Sequence, residues 1–559
     1  MKTRRKFLRP VCLLLCLILA AMGMAGCGST ASTGTTAAAT AGTGTEPGTT
    51  AAVPEERSAS SDIVAATDND LVTLDPHDAT NTMDGAVQRM IMDGLFGFDM
   101  EMNVVNMLAT GYEANDSATE FIIPLREGVS FTDGTAWNAE AAKANLDRMA
   151  DQSLGLKRNG LFAMIDTTEI VDEYTVKVNL KYSFGAFINT LAHPAGAMIS
   201  PVQIAAGKGT CASNPVGTGQ YKFVEWRPGE YWKLELNEDW WGYRAELNGG
   251  TPFVDPKAGF SSITFKPVTE AATRVAMIQS GDADYIYPVP TESYQVLAAD
   301  PNINAYGDES IIMYYAYLNT QKEALSDVRV RQALNYAIDK NAYVAVVQNG
   351  LATVATSYMS PAVQFYVEQP AYEYNIEKAK ELLAEAGYGD GLTLKVLTTN
   401  SSLMLKFAEF TQQQLAMVGI TLTVEALEAG TFSEQVDSNT GGGSEAVYDI
   451  VLRGWSPSTG DADWVLRAIF SSTLAPPKGS AYSYFENEDF DKAIQGGLNS
   501  ADLEVRAEAY ARAQEILWEQ CPAVPMGNSF NTYATSPRLS NVGRLKDGAI
   551  YFREGYFVK

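Results

Sequence analysis

Apolar residues recur at helical spacing through much of the chain, and several such stretches open on a residue able to cap them. Val330, Ala333, Leu334, Ala337 and Ile338 follow Asp327, and Asp339 opens a further helix that Asn349-Gly350 closes. Asn375 starts a stretch with Ile376, Ala379, Leu382, Leu383 and Ala386 on one face and Gly387 at its end. Asn138 heads a helix reaching about Met149, and Met404, Phe407, Ala408, Thr411, Leu415 and Val418 line another. Between these lie short β-rich runs at 61–66 and 120–125, and an alternating run at 421–424. Helix followed by strand, several times over, predicts an α/β architecture with sheets covered by helices. Trp226-Arg227-Pro228-Gly229 reads as a hairpin turn. Gly217-Thr218-Gly219 predicts a tight backbone path with positive φ.

The first 60 residues follow a different pattern. Lys2, Arg4, Arg5, Lys6 and Arg9 precede an apolar run at 11–21, and then Met24-Ala25-Gly26-Cys27. A basic start, a short apolar run and small residues before a cut site describe a secretory signal over 1–26. The run is shorter than the roughly 20 residues of a membrane span. Cys27 offers a thiol for acylation, so the mature chain is expected to sit outside the cell on the lipid bilayer. Residues 27–60 are Ser, Thr, Gly and Ala with almost no charge until Glu46. Such a composition buries too little apolar surface to fold alone and reads as a flexible tether.

The remaining length exceeds what one core usually serves, which predicts at least two lobes. A formal charge of −26 argues against nucleic acid as a partner. Cys211 and Cys521 are the cysteines left in the body, and separate buried thiols are favoured over a bridge. No CxxC pair or HExxH occurs, so no metal site or cofactor is expected. A serine hydrolase is disfavoured: His193 is the one histidine outside the "LDPH" run, and no GxSxG precedes a helix.

Seven blocks in order carry a family resemblance. They are "TLDPHDAT" at 73–80, "MDGLFGFD" at 92–99, "LREGVSFTDGTAWNAEAAKANLDRM" at 125–149 and "NPVGTGQYKFVEWRPGEYWKLELNEDWWG" at 214–242. "LNTQKEALSDVRVRQALNYAIDKNAYVAVVQNGLATVA" at 318–355, "EKAKELLAEAGYGDGLTLKV" and "YDIVLRGWSPSTGDADW" follow. From about residue 61 to 559 the chain resembles the peptide- and nickel-type solute-binding proteins of bacterial ABC importers. The resemblance implies a two-lobe periplasmic-binding-protein type II fold with an extra subdomain and a cleft between the lobes. It implies lobe I at 61–313 and 527–559, with an inserted subdomain at about 83–190, and lobe II at 314–526. It implies a small solute, with a peptide as the leading candidate, and ABC permease subunits as partners. An oligosaccharide or other non-peptide solute remains open, as does a peptide sensor without transport.

The motifs place Asn81, Thr82 and Met83 near the cleft, with Tyr314, Tyr315 and Tyr317 on the crossing strand. Arg453, Trp455, Ser456 and Ser458 follow on the strand and loop of the last block. Peptide binders of this family usually carry, three residues after that Trp, an Asp that neutralises the peptide amino terminus. Here the position is Ser458, so Asp461 or Asp463 is the expected substitute, or else the ligand lacks a free amino terminus.

Overall fold

The structure is a computed structural model that describes residues 62–558. The signal segment, Cys27 and the tether lie outside the described residues. The helix starts follow the capping residues read from sequence. Asn138 accepts from the Ala141 N–H and opens Ala139–Ala150; Asp327 opens Val328–Ala337; Asp339 opens Lys340–Val346; and Asn375 opens Ile376–Glu385. Each side-chain oxygen satisfies a backbone donor that the first helical turn leaves free. The run at 421–424 lies within the strand Ile420–Leu427.

An eleven-stranded mixed sheet runs through the molecule. At its centre the two longest strands, Asn304–Leu318 and Ala523–Thr535, pair antiparallel. Their register breaks between Glu309 and Met313, which divides the pair into two main stretches, and shifts once more between Tyr314 and Tyr315. Beside the first stretch stand Tyr285–Tyr287, Asp62–Thr67, Ser262–Pro267 and then the hairpin Tyr231–Leu236 with Tyr221–Arg227. Beside the second stand Ile450–Trp455, Leu392–Thr399 and Ile420–Leu427. Each flank has its own apolar cluster, one around Ile63, Trp232 and Phe265, the other around Leu334, Phe407 and Val396. A separate four-stranded sheet (Glu113–Ala114, Glu120–Pro124, Thr175–Leu180, Ile165–Asp172) packs under Ala139–Ala150. These elements all fall inside the stretch where the extra subdomain was expected.

The glycine motif at 217–219 has a different cause from the one expected. Neither Gly217 nor Gly219 has positive φ. A Cβ at Gly217 would stand 2.4 Å from the Ile91 carbonyl oxygen, and one at Gly219 2.5 Å from that of Met90. The glycines let this strand approach lie against the end of the helix Thr82–Ile91. The Gly219 N–H donates to the Ile91 carbonyl at 2.9 Å. Cys211 and Cys521 are both buried and unpaired. Trp240 and Trp241 are core residues whose indole N–H groups both donate to Asp93.

Candidate functional site: a cationic cleft

A cavity of about 300 Å³ opens where the start of the helix Thr82–Ile91 meets the loop after the strand Ile450–Trp455. Its size sits at the low end of the about 300–1,000 Å³ usual for small-molecule sites. Asn81, Thr82, Trp455, Ser456 and Ser458 line it, which brings together five of the residues placed near a cleft by motif. Asn81 caps the helix by accepting from the Met83 N–H at 2.8 Å. Met83 is buried and lines a smaller adjoining cavity. Trp455 is held by its indole N–H, which donates to the Trp464 carbonyl at 2.8 Å.

The remaining expectations are corrected by packing. Tyr315 and Tyr317 are fully buried: Tyr315 donates to the Tyr358 carbonyl, and Tyr317 packs on Phe470 and Tyr482. Tyr314 is half-buried against the Leu334 cluster. None of the three lines the cavity. Arg453 is turned to Asp437 and Tyr482. Asp461 and Asp463 do not substitute at the cavity. Arg506 donates to both carboxylate oxygens of Asp461, at 2.9 and 2.8 Å, in a pair that is fully buried. Arg467 donates from Nε to Asp463 at 2.7 Å. A carboxylate so paired has no charge left for a ligand amine.

Of the residues that set the cavity's electrostatics, sequence had named His193 alone, as the one candidate base for a disfavoured hydrolase. Arg89, Arg158, His193 and Asp547 all line it. Arg89 stands 2.7 Å from Asp547 as an ion pair, yet the contact lacks hydrogen-bond alignment, and its Nη1 has no partner. Burial alone would raise the Asp547 carboxyl, but the Arg89 charge prevails and holds it below the usual range. Arg158 donates from Nε to the Ala79 carbonyl at 2.7 Å and has no carboxylate partner among the described residues. One anion against two cations leaves the cavity net positive.

His193 fixes what Ser458 can do. Its Nδ1 accepts from the Ala195 N–H at 3.0 Å, and its Nε2 lies 3.1 Å from Ser458 Oγ. A neutral imidazole that accepts at Nδ1 carries its proton on Nε2. His193 therefore donates to Ser458, and the Ser458 hydroxyl proton is free for a ligand acceptor. Burial, reinforced by the charges of Arg158 and Arg89, lowers the His193 pKa to about 3, so the ring stays neutral near neutral pH. His77 is likewise buried, its pKa lowered to about 4, and is held by Arg148 and the Ala197 carbonyl. Where an amine-binding carboxylate was expected, the cavity thus offers a hydroxyl donor beside two arginines.

The wall carrying His193 also meets the opposite wall directly. Gly185 N–H donates to the Leu498 carbonyl at 2.8 Å, and Asn189 Nδ2 to the Thr459 carbonyl at 3.3 Å.

A long sheet carrying two flanking cores, with a cavity between segments distant in sequence, defines a two-lobe binding protein of the periplasmic type II class. HbpA2 from Haemophilus parasuis superimposes with a TM-score of 0.78 at 26% identity, covering 89% of this chain and 100% of that one. DppA from Helicobacter pylori, in complex with the peptide STSA, gives 0.71 at 23%, covering 89% and 98%. The chain is 38% identical over 495 residues to the glutathione-binding protein GsiB of Salmonella typhi, covering 88% of this chain and 94% of that protein. Residues 103–476 match the model of the bacterial extracellular solute-binding proteins, family 5. The chain belongs to that family, whose members bind peptides for ABC importers.

Proposed function

We propose that this protein is a lipid-anchored receptor for short, acidic peptides, glutathione foremost, which it hands to an ABC permease. The observation that carries the reading is the charge of the cleft. Arg158 faces a cavity of about 300 Å³ without a carboxylate partner, and Ser458, oriented by His193, presents a donor beside it. Cations and hydroxyl donors that face a partly desolvated cavity select a carboxylate-bearing ligand. The cavity's size suits a few residues better than a long peptide. The relative named as glutathione-binding matches over nearly its whole length, which supports the same ligand class.

A thermal-shift screen tests the reading. A ligand at 100 times its dissociation constant stabilises the native state by about 2.7 kcal/mol. Glutathione and other acidic di- and tripeptides are expected to raise the midpoint by several degrees, and their C-terminal amides much less. A shift produced by neutral oligosaccharides and not by acidic peptides would refute the peptide reading and leave the binding-protein class standing.

The anchor is proposed from the small-small-Cys sequence after an apolar run. Mass spectrometry of membrane-bound protein should find Cys27 acylated. The Cys27→Ala change should release the body to the medium or leave it uncleaved. A free Cys27 thiol on membrane-bound protein would defeat the proposal.

A further inference from the structure

A second cavity, of about 160 Å³, adjoins the first and shares Asn81, Thr82 and Ala86 with it. It holds two charges of opposite sign, Arg544 and Asp68, which feel each other's field but make no ion-pair contact. Arg544 is 2% exposed and lies over the Tyr287 ring, and its Nε and Nη1 have no hydrogen-bond partner. The buried Tyr285 hydroxyl lies beside it. Among the described residues no carboxylate comes within ion-pair distance of Arg544, and no cation within that distance of Asp68. Asp68 sits just after the strand Asp62–Thr67, and its side chain accepts from Asn69 Nδ2 at 2.8 Å and from its own backbone N–H. Burial raises its carboxyl above the ordinary value, against the opposing charges of Arg274 and Arg544 nearby. Arg274, the other cation near it, donates to the carbonyls of Val268, Thr269 and Pro288.

A buried arginine with no anion in contact is costly, so its retention calls for a ligand group that completes it. One chemical group supplies both missing partners: the head of an α-amino acid, with a carboxylate and an ammonium on one carbon. We infer that the Arg544–Asp68 cavity receives an α-amino-acid head group, its carboxylate on Arg544 and its ammonium by Asp68, while a second carboxylate reaches Arg158 next door. This deepens the short-peptide reading and rests on it. It also explains how an amine is read although Ser458 occupies the usual carboxylate position.

The geometry selects a linkage. In an ordinary peptide the first residue has no free α-carboxylate and the last no free ammonium. A head group with both charges, at one end of a peptide with a further carboxylate at the other, requires a bond through a side-chain carboxyl. The ligand class is therefore the peptides linked through an acidic side chain, γ-glutamyl or β-aspartyl, and glutathione belongs to the first.

Titration calorimetry on the mature protein tests this with four probes. They are glutathione, its α-linked isomer Glu-Cys-Gly, glutaryl-Cys-Gly lacking the amine, and γ-aminobutyryl-Cys-Gly lacking the head carboxylate. Glutathione is expected to bind at least tenfold more tightly than each of the others. Arg544→Gln should weaken glutathione at least tenfold and leave the γ-aminobutyryl analogue nearly unchanged. Asp68→Asn should do the same for glutathione against the glutaryl analogue. Ligand-free Arg544→Gln should melt no lower than the wild type, because it removes an unpaired buried charge. Equal affinity for the α- and γ-linked isomers overturns the inference, as does an equal loss on both probes in Arg544→Gln. Should that variant not fold, the four probes on the wild type decide alone. Should no peptide bind the wild type, the short-peptide reading fails. Free glutamate against its N-acetyl and α-amide forms then tests the head-group site, and indifference to both blocks overturns it.

Discussion

Replacing Arg506 by methionine is expected to lower the unfolding free energy by about 3–5 kcal/mol, the cost of stranding one partner of a buried ion pair. Arg506 and Asp461 are 1% and 0% exposed, and both Asp461 oxygens accept from the guanidinium. The pair ties the helix Leu503–Gln520 to the loop after Ile450–Trp455, which carries Ser458. A change of about 1 kcal/mol moves the midpoint by roughly 2–4 °C in domains of 150–250 residues, so calorimetry should find a drop on the order of 10 °C. The deficit should depend on pH in a defined sense. Burial already raises the Asp461 carboxyl above its ordinary value against the Arg506 charge, and without Arg506 it rises further, so the folded state binds the extra proton. The penalty is then full at neutral pH and shrinks as the pH falls through the raised value. Arg506→Met with Asp461→Asn should recover much of the loss. A deficit below about 1 kcal/mol would mean that the pair is screened by water, as exposed pairs are.

Arg158→Met should weaken an acidic peptide by about 2–5 kcal/mol, the usual loss when one member of a desolvated, hydrogen-bonded charge pair is removed. At about 1.4 kcal/mol per tenfold this is roughly thirtyfold or more in dissociation constant. The fold should suffer less. The side chain gives up its bond to the Ala79 carbonyl and a longer one to Thr80, each worth about 1 kcal/mol net. The decisive comparison is with a C-terminal amide of the same peptide. The wild type should lose affinity on amidation, and the variant should not. Equal losses in both proteins would show that Arg158 shapes the cavity wall and does not meet the carboxylate.

How much of this was legible in the sequence varies with the range of the interaction. The capped helices at 139, 328, 340 and 376 lie where Asn138, Asp327, Asp339 and Asn375 placed them. A cap is made by a side chain and backbone N–H groups two or three residues on, so the signal and its partner share one stretch of chain. The membership in a solute-binding family was legible for a related reason, since its blocks are contiguous. Ser458 could be recognised as a departure because the Trp455 landmark stands beside it.

The cleft's charge was not legible. Arg89, Arg158, His193, Ser458 and Asp547 come from five separate segments and become neighbours only when the walls meet. Nothing local told the unpaired Arg158 from the paired Arg467 and Arg506, or the committed Asp461 from a free acid. Whether a charge is spent inside the protein or left for a ligand depends on which partner lies within about 4 Å after folding. The glycines at 217 and 219 make the same point. Their presence announced a steric demand, but only the packed helix end showed it to be a close approach and not a turn. Sequence alone determined the capped helices, the α/β class and the binding-protein family, because these rest on short-range hydrogen bonds and contiguous motifs. Tertiary structure decided which tyrosines are core, which carboxylates are neutralised and which arginines face the cleft, because burial and charge pairing are set between segments hundreds of residues apart.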